Sequence, residues 1–358
     1  MFYSIVAFVI LLPVVVFVHE FGHFIFARIN GVKVEAFSIG FGKKLFGWKD
    51  SHGTDWKVCL VPLGGYVKML GQSDTPETAE EKEVSRKKLS QKEKKESFEF
   101  KTRFQKASIC AAGPVFNFIF GLVVFFGLFF FYGVPNNPPV IHNVVVNSPA
   151  ELAGIKAGDK ILQIGDKVIT DANDIAKIMK KVDGSSLLVK VEREGKLLDM
   201  SVSPKKENDR YVMGISYALA FGNYKKVSFG QAVVASYKLT SSIVVDTMKS
   251  LGEMVVGKRS SKELGGMISI GQMSGNALRN GFYTFMYFMA LISISLGLFN
   301  LFPIPVLDGG YLFIYLIEGI IRRDLSEKIK EKMFFVGFMF IIFLLLLSNF
   351  NDVVRLVK

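Results

Sequence analysis

The stretch "VVVFVHEFGHFIFA", Val14 to Ala27, sets two histidines and a glutamate inside one of the most apolar runs of the chain. Ionisable groups at hydrocarbon depth are costly, so such a cluster points to a functional site by default. His19, Glu20 and His23 form H-E-x-x-H, in which the two histidines share one helical face a turn apart. Imidazoles so placed reach a single tetrahedral zinc, and the glutamate next to the first of them is positioned to take a proton from an attacking water. Two of the four histidines in the chain are spent here. The competing reading is structural, with both rings packed against carbonyls in a helix bundle.

The surroundings of this stretch belong to a membrane protein. The 358 residues are 50% hydrophobic, include 34 Phe and have a positive mean hydropathy, which is too apolar for an ordinary soluble domain. Four stretches are long enough to cross a hydrocarbon core of about 30 Å: Met1 to Ala27, Ala107 to Val134, Gly281 to Leu307 and Met333 to Phe350. The first has neither a basic leading region nor a small-residue cleavage pattern, so it reads as a span and not as a cleaved signal. Lys and Arg exceed Asp and Glu between Arg28 and Lys106, and Arg322, Arg323, Lys328, Lys330 and Lys332 crowd the third connection. Both segments therefore belong on the cytoplasmic side, with the termini and the segment from Pro135 to Asn280 opposite. The net charge of +12 follows from that topology and from anionic inner-leaflet lipid, so it gives no support to a nucleic-acid partner. Cys59 and Cys110 form no disulfide framework and no zinc-knuckle spacing.

A catalytic zinc needs a third protein ligand and an open fourth position. The best candidate lies in "NLFPIPVLDGG", Asn300 to Gly310, where Pro303 and Pro305 remove backbone donors and break the third span just before Asp308. Broken backbone is tolerated at membrane depth only where it is buried in protein or lines a watery cavity. Asp308 also reads as a helix N-cap, a role compatible with metal binding. Depth agrees: His19 lies about 27 Å along an ideal helix from the N-terminus and Asn300 about 28 Å from Gly281, and both spans run inward.

"HEFGH" in a first span with "NLFPIPVLDGG" in a late one resembles the site-2 protease family of intramembrane zinc metalloproteases, in particular its bacterial RseP-type members. "FSIGFGKKLF" at Phe37 to Phe46, "VPLGGYVKMLG" at Val61 to Gly71 and "AAGPVFNF" at Ala111 to Phe118 extend the resemblance over nearly the whole chain. It implies one zinc held by His19, His23 and Asp308, water activated by Glu20, and support from Asn300 and Asn117. By the same resemblance the substrates are single-pass transmembrane proteins already trimmed on the outer side, such as anti-sigma factors, or leftover signal peptides, at a bacterial inner membrane.

The expected architecture is an α-helical polytopic membrane protein of about four spans, the third broken (281–321), with a cytoplasmic membrane-associated β-hairpin region (28–106) and one extracytoplasmic α+β domain. That domain, 138–205, looks like a single PDZ domain: strand-like alternation with Gly-Asp turns from Ser148 to Ile169, a helical stretch from Ala172 to Lys181, then strands near Leu187 to Val191 and Leu197 to Val202. PDZ folds bind peptide termini by strand addition, and a steric gate against large ectodomains is an equal contender. Residues 206–280 are expected to be extracytoplasmic or interfacial. "WKVCLVPLGGYVKML", Trp56 to Leu70, reads as two apolar strands around Gly64-Gly65. Exposed in a cytoplasmic loop it would be a liability, so it is expected to fold toward the site and offer an edge strand, with Gly65 and Tyr66, to an unwound substrate helix. The run from Thr75 to Glu96 carries both charge signs densely and reads as a solvated linker. Two other classes compete with the peptidase: a catalytically inactive PDZ scaffold, and a zinc-binding membrane protein, which has no need of Glu20 between the ligands.

Overall fold

The computed structural model describes residues 2–72, 89–135, 138–207, 210–217, 224–260 and 265–357. Most of the charged run from Thr75 falls outside them. The chain divides into two compact units, Met1–Leu128 with Val233–Lys358, and Phe129–Ala232.

The first unit opens with α1 (Phe2–Ile29), followed by a long antiparallel hairpin of β1 (Val34–Lys49) and β2 (Asp55–Met69), a short α2 (Gln91–Glu96) and α3 (Arg103–Phe131). The hairpin differs from the expectation in where it reverses. Gly64 and Gly65 lie within β2, Gly65 facing Ile39 of β1, and the chain turns at 50–54 instead. The Asp50 carboxylate builds that turn by accepting bonds from the backbone amides of His52 (2.9 Å) and Thr54 (3.0 Å). Its other oxygen accepts from Arg28 of α1 at 2.7 Å and from the Trp56 indole at 3.1 Å, and Arg28 also donates to the Thr54 hydroxyl. The diglycine marks an irregular stretch of the ladder, with Gly64 at φ +114°. Phe24, Ala27, Phe37, Met69 and Ile109 close a core between the end of α1, the hairpin and α3.

The second unit is a small α+β fold: β3 (Val134–Pro135), β4 (Ile141–Val144), α4 (Pro149–Leu152), β5 (Lys160–Ile164), β6 (Lys167–Val168), α5 (Ala172–Met179), β7 (Leu187–Arg193), β8 (Lys196–Val202), β9 (Lys205–Glu207), β10 (Arg210–Val212), β11 (Ile215–Tyr217) and β12 (Tyr224–Lys225). β6-β5-β7-β8 form one sheet, and Ile161, Ile164, Val189, Val191 and Val202 alternate into a core that Ile175 of α5 covers. The fold continues past Lys205, because β11 returns to pair with β4. Asp159 is wholly buried at the start of β5 and is clasped by the Arg193 guanidinium through bonds of 2.6 and 2.7 Å.

The chain then re-enters the first unit through α6 (Phe229–Val255), α7 (Met267–Arg279), α8 (Phe282–Asn300), α9 (Asp308–Ile321) and α10 (Glu327–Val357). Segment 206–280, expected only to be extracytoplasmic or interfacial, supplies β10 to β12 and two helices, α6 and α7. α7 lies against α1 so closely that a methyl group on Gly275 would meet the backbone of Ser4 at 2.6 Å. Ala7, Leu11 and Val15, one face of α1, pack with Ala277 of α7 and Phe285, Phe288 and Met289 of α8. Among the described residues four helices are long and apolar enough to cross a membrane: α1, α3, α8 and α10. α10 leaves Phe335, Val336, Phe343 and Leu346 exposed along its length, a surface that water would penalise and lipid accepts.

Candidate active site

α1 delivers His19 and His23 one turn apart, both buried among the helices. α3 makes room for them: a methyl group on Gly22 would strike the Ala112 carbonyl, and one on Gly113 would fall on the His23 imidazole at Nε2. The backbone of α3 also orients the rings. His23 Nδ1 lies 2.8 Å from the Ile109 carbonyl, which can only accept, so Nδ1 carries the proton and Nε2 presents a lone pair. The Asn117 amide stands 3.2 Å from His19 Nδ1.

The third partner arrives through the break after α8. Residues 301–307 leave helical geometry, with Val306 at φ +93°, a conformation that a β-branched residue adopts only under strain of about 1 to 3 kcal/mol. The glycines of "LDGG" accommodate the folded-back loop. A methyl on Gly309 would strike the Leu301 and Phe302 carbonyls, and one on Gly310 would meet Pro305 Cα at 2.6 Å. The N-cap position falls to Leu307, and Asp308 is the first residue of α9, with no side-chain capping bond. Its carboxylate turns to the histidines: Oδ2 is 3.2 Å from His19 Nε2 and Oδ1 is 3.4 Å from His23 Nε2.

Among the described residues these three side chains form a cluster with the geometry to hold a metal ion. The two Nε2 atoms are 3.3 Å apart, which matches the span of about 3.3 Å between two nitrogens bound to one tetrahedral zinc. Asp308 Oδ2 is buried and has no hydrogen-bond partner, as an oxygen reserved for a cation would be. The donor set of two imidazoles and a carboxylate therefore fits zinc, with one position left for substrate or water.

Glu20 opens into a cavity of about 160 Å³ that it lines together with His23, Asp308, Val67, Cys110 and Tyr311. β2 runs alongside. A methyl on Gly65 would meet Glu20 Cγ at 3.1 Å and Val16 Cγ1 at 3.0 Å, so the strand's backbone lies against the carboxylate-bearing helix. Val67 faces the cavity, whereas Tyr66, on the other face of the strand, stacks at 6.2 Å on Phe41. Asn300 ends α8 half-buried, and among the described residues its side chain makes no hydrogen bond to His19, His23 or Asp308. Sequence reasoning missed Gly113 and Ser293. A Gly-Pro pair inside an apolar helix was the available signal for the first, as a place of close backbone approach; Ser293 gave none.

A profile described as peptidase family M50 matches residues 7–344. Three bacterial chains that share the name "putative zinc metalloprotease" are similar over almost the full length: one from Rickettsia conorii is 36% identical over 99% of both chains, one from Rhizobium meliloti 35% identical over 98% of this chain and 96% of its own, and one from Clostridium perfringens 36% identical over 95% of each. Among solved structures, the HtrA3 PDZ domain bound to a phage-derived ligand is 26% identical, covers 25% of this chain and 71% of its own, and has a TM-score of 0.18. With a profile match from Ala7 to Leu344, close relatives end to end and long apolar helices around the ligand cluster, the chain belongs to peptidase family M50 and is a multi-pass membrane zinc metalloprotease.

Proposed function

We propose that this enzyme is a site-2-type intramembrane endopeptidase that cuts transmembrane segments of single-pass proteins, with one zinc held by His19, His23 and Asp308 and with Glu20 as general base. The convergence of these three side chains on one point within a bundle of apolar helices is the observation that carries the reading. Zinc bound there supplies Lewis-acid polarisation of the scissile carbonyl and acidifies the attacking water. The Glu20 carboxylate accepts the proton of that water and passes it to the departing amide nitrogen. Asn300, immediately before the loop that leads to Asp308, hydrogen-bonds substrate backbone or the developing oxyanion once substrate is present.

A substrate helix has its amides bonded internally, so its backbone must be pulled open before attack. β2 supports a route. It belongs to a two-stranded sheet, it passes beside Glu20 at Gly65, and it sends Val67 into the cavity. An extended substrate strand added along β2 would bring its amides past the carboxylate. Loop charge supports a cytoplasmic hairpin in an inner membrane, with both termini and the 129–232 unit outside. That unit is read as a PDZ domain. Its groove of about 820 Å³ between α5 (Ile175, Met179) and the 211–215 strand region supports capture of a peptide end as well as a gate.

The decisive test compares wild type and Glu20→Gln in detergent, measuring zinc content and cleavage of a helical transmembrane peptide. Zinc is expected in both and cleavage only in wild type. Undiminished cleavage by the variant would end the general-base assignment.

A further inference from the structure

The two terminal atoms of the Asn117 amide lie between two partners, 3.2 Å from His19 Nδ1 on one side and 3.3 Å from Ser293 Oγ on the other. Asn117 and Ser293 are both wholly buried, and Ser293 Oγ is also 3.1 Å from the Asn117 backbone carbonyl. A half-turn of the amide exchanges its oxygen and nitrogen between the two sides, so counting protons decides which way it must face. If His19 is to offer Nε2 to a metal, as the proposed ligand set requires, its one proton sits on Nδ1 and needs an acceptor. The amide oxygen must then face His19. The NH2 group turns to Ser293, which accepts it while giving its single proton to the Asn117 carbonyl. In the opposite orientation the NH2 would face Nδ1, the ring proton would move to Nε2, and Ser293 would face two acceptors with one proton.

We propose that Ser293 is a positioning residue for the metal site: by accepting from the Asn117 amide it holds the amide oxygen on His19 Nδ1 and keeps His19 Nε2 open to zinc. The inference rests on His19 being a ligand. It gives α8 a second duty beyond leading to Asp308, since one helix then fixes both the carboxylate and, through α3, an imidazole.

Zinc affinity, read by competition with a chromophoric chelator on the purified full chain, tests this. Ser293→Ala is expected to weaken zinc binding about tenfold, the usual effect of losing an outer partner of a ligating histidine. Asn117→Asp offers an oxygen whichever way it turns, so in that background Ser293→Ala is expected to leave the affinity unchanged. The visible spectrum of the cobalt(II)-loaded protein should follow the same pattern. Wild-type affinity for Ser293→Ala, or an equal loss in the Asn117→Asp background, overturns the proposal. His19→Ala separates the two levels: if it binds zinc as tightly as wild type, the ligand reading fails and the proposal with it. If it loses zinc while Ser293→Ala does not, only the role of Ser293 falls.

Discussion

At Gly113 one hydrogen atom in place of a methyl group decides whether two imidazoles can lie against α3. The side chain that alanine would add falls on His23 Nε2, the atom that faces Asp308 and His19, and it would also meet His19 Cε1 at 2.8 Å. The imidazoles have no free direction to retreat in, because His23 is tethered to Ile109 and His19 to Asn117. Gly113→Ala is therefore expected to lose zinc, and with it cleavage, while the helices stay folded by circular dichroism. Gly127 provides the control in the same helix: a methyl there meets nothing within 4 Å, so Gly127→Ala should keep wild-type zinc content and gain slightly in helix stability. Metal analysis of the two variants side by side checks the claim, and equal zinc in both would refute it.

The hairpin of β1 and β2 is held in place from its turn. Partial burial pushes the Asp50 carboxyl up, yet the donors of Trp56, Thr54, His52 and Arg28 outweigh it and hold the carboxyl down at about 2. A group whose pKa is depressed by folding stabilises the fold above its unfolded value of about 3.9, and that contribution is lost as pH falls toward 2. The protection of hairpin amides from exchange, relative to the unfolded chain at each pH, should accordingly fall through that window in wild type and not in Asp50→Asn, which is expected to cost the hairpin about 1 to 2 kcal/mol at neutral pH. Closer to the cavity, Val67→Pro removes an amide from the strand that passes Glu20 and should depress cleavage of a transmembrane peptide while zinc content is kept; unchanged cleavage would detach the hairpin from substrate handling. This element was only half legible in sequence. The aromatic and β-branched run from Trp56 announced a strand, but Gly64-Gly65 signals a turn and a ladder irregularity equally well. What reverses the chain is Asp50, whose role depends on an arginine on α1 that no local pattern reveals.

Across the whole molecule the legible features were those that hydropathy and spacing encode: four apolar helices, the H-E-x-x-H pair, the proline break and the carboxylate behind it. Relations made only by folding were hidden. β11 completes the second unit by pairing with β4, α7 fills the groove beside α1, and Ser293 meets Asn117 across two helices. The second unit also has its own electrostatic pin. Burial raises the Asp159 carboxyl, but the Arg193 clasp and the Lys156 amide pull it below the usual range, so its stabilisation is complete above the unfolded value of about 3.9 and is lost as pH falls through the lower folded value. Asp159→Asn should lower the stability of that unit by about 2 kcal/mol, seen as faster amide exchange in β5 and β7, with zinc content unaffected because the proposed ligands lie in the other unit. The meeting of His23 with Asp308, 285 residues later in the sequence, bears on biosynthesis. A nascent chain emerging into the bilayer carries the histidine pair long before it acquires the carboxylate. With the ligand set proposed above, a copy that stops short of Asp308 is proteolytically silent, and the membrane receiving it is protected by nothing more than the order of translation.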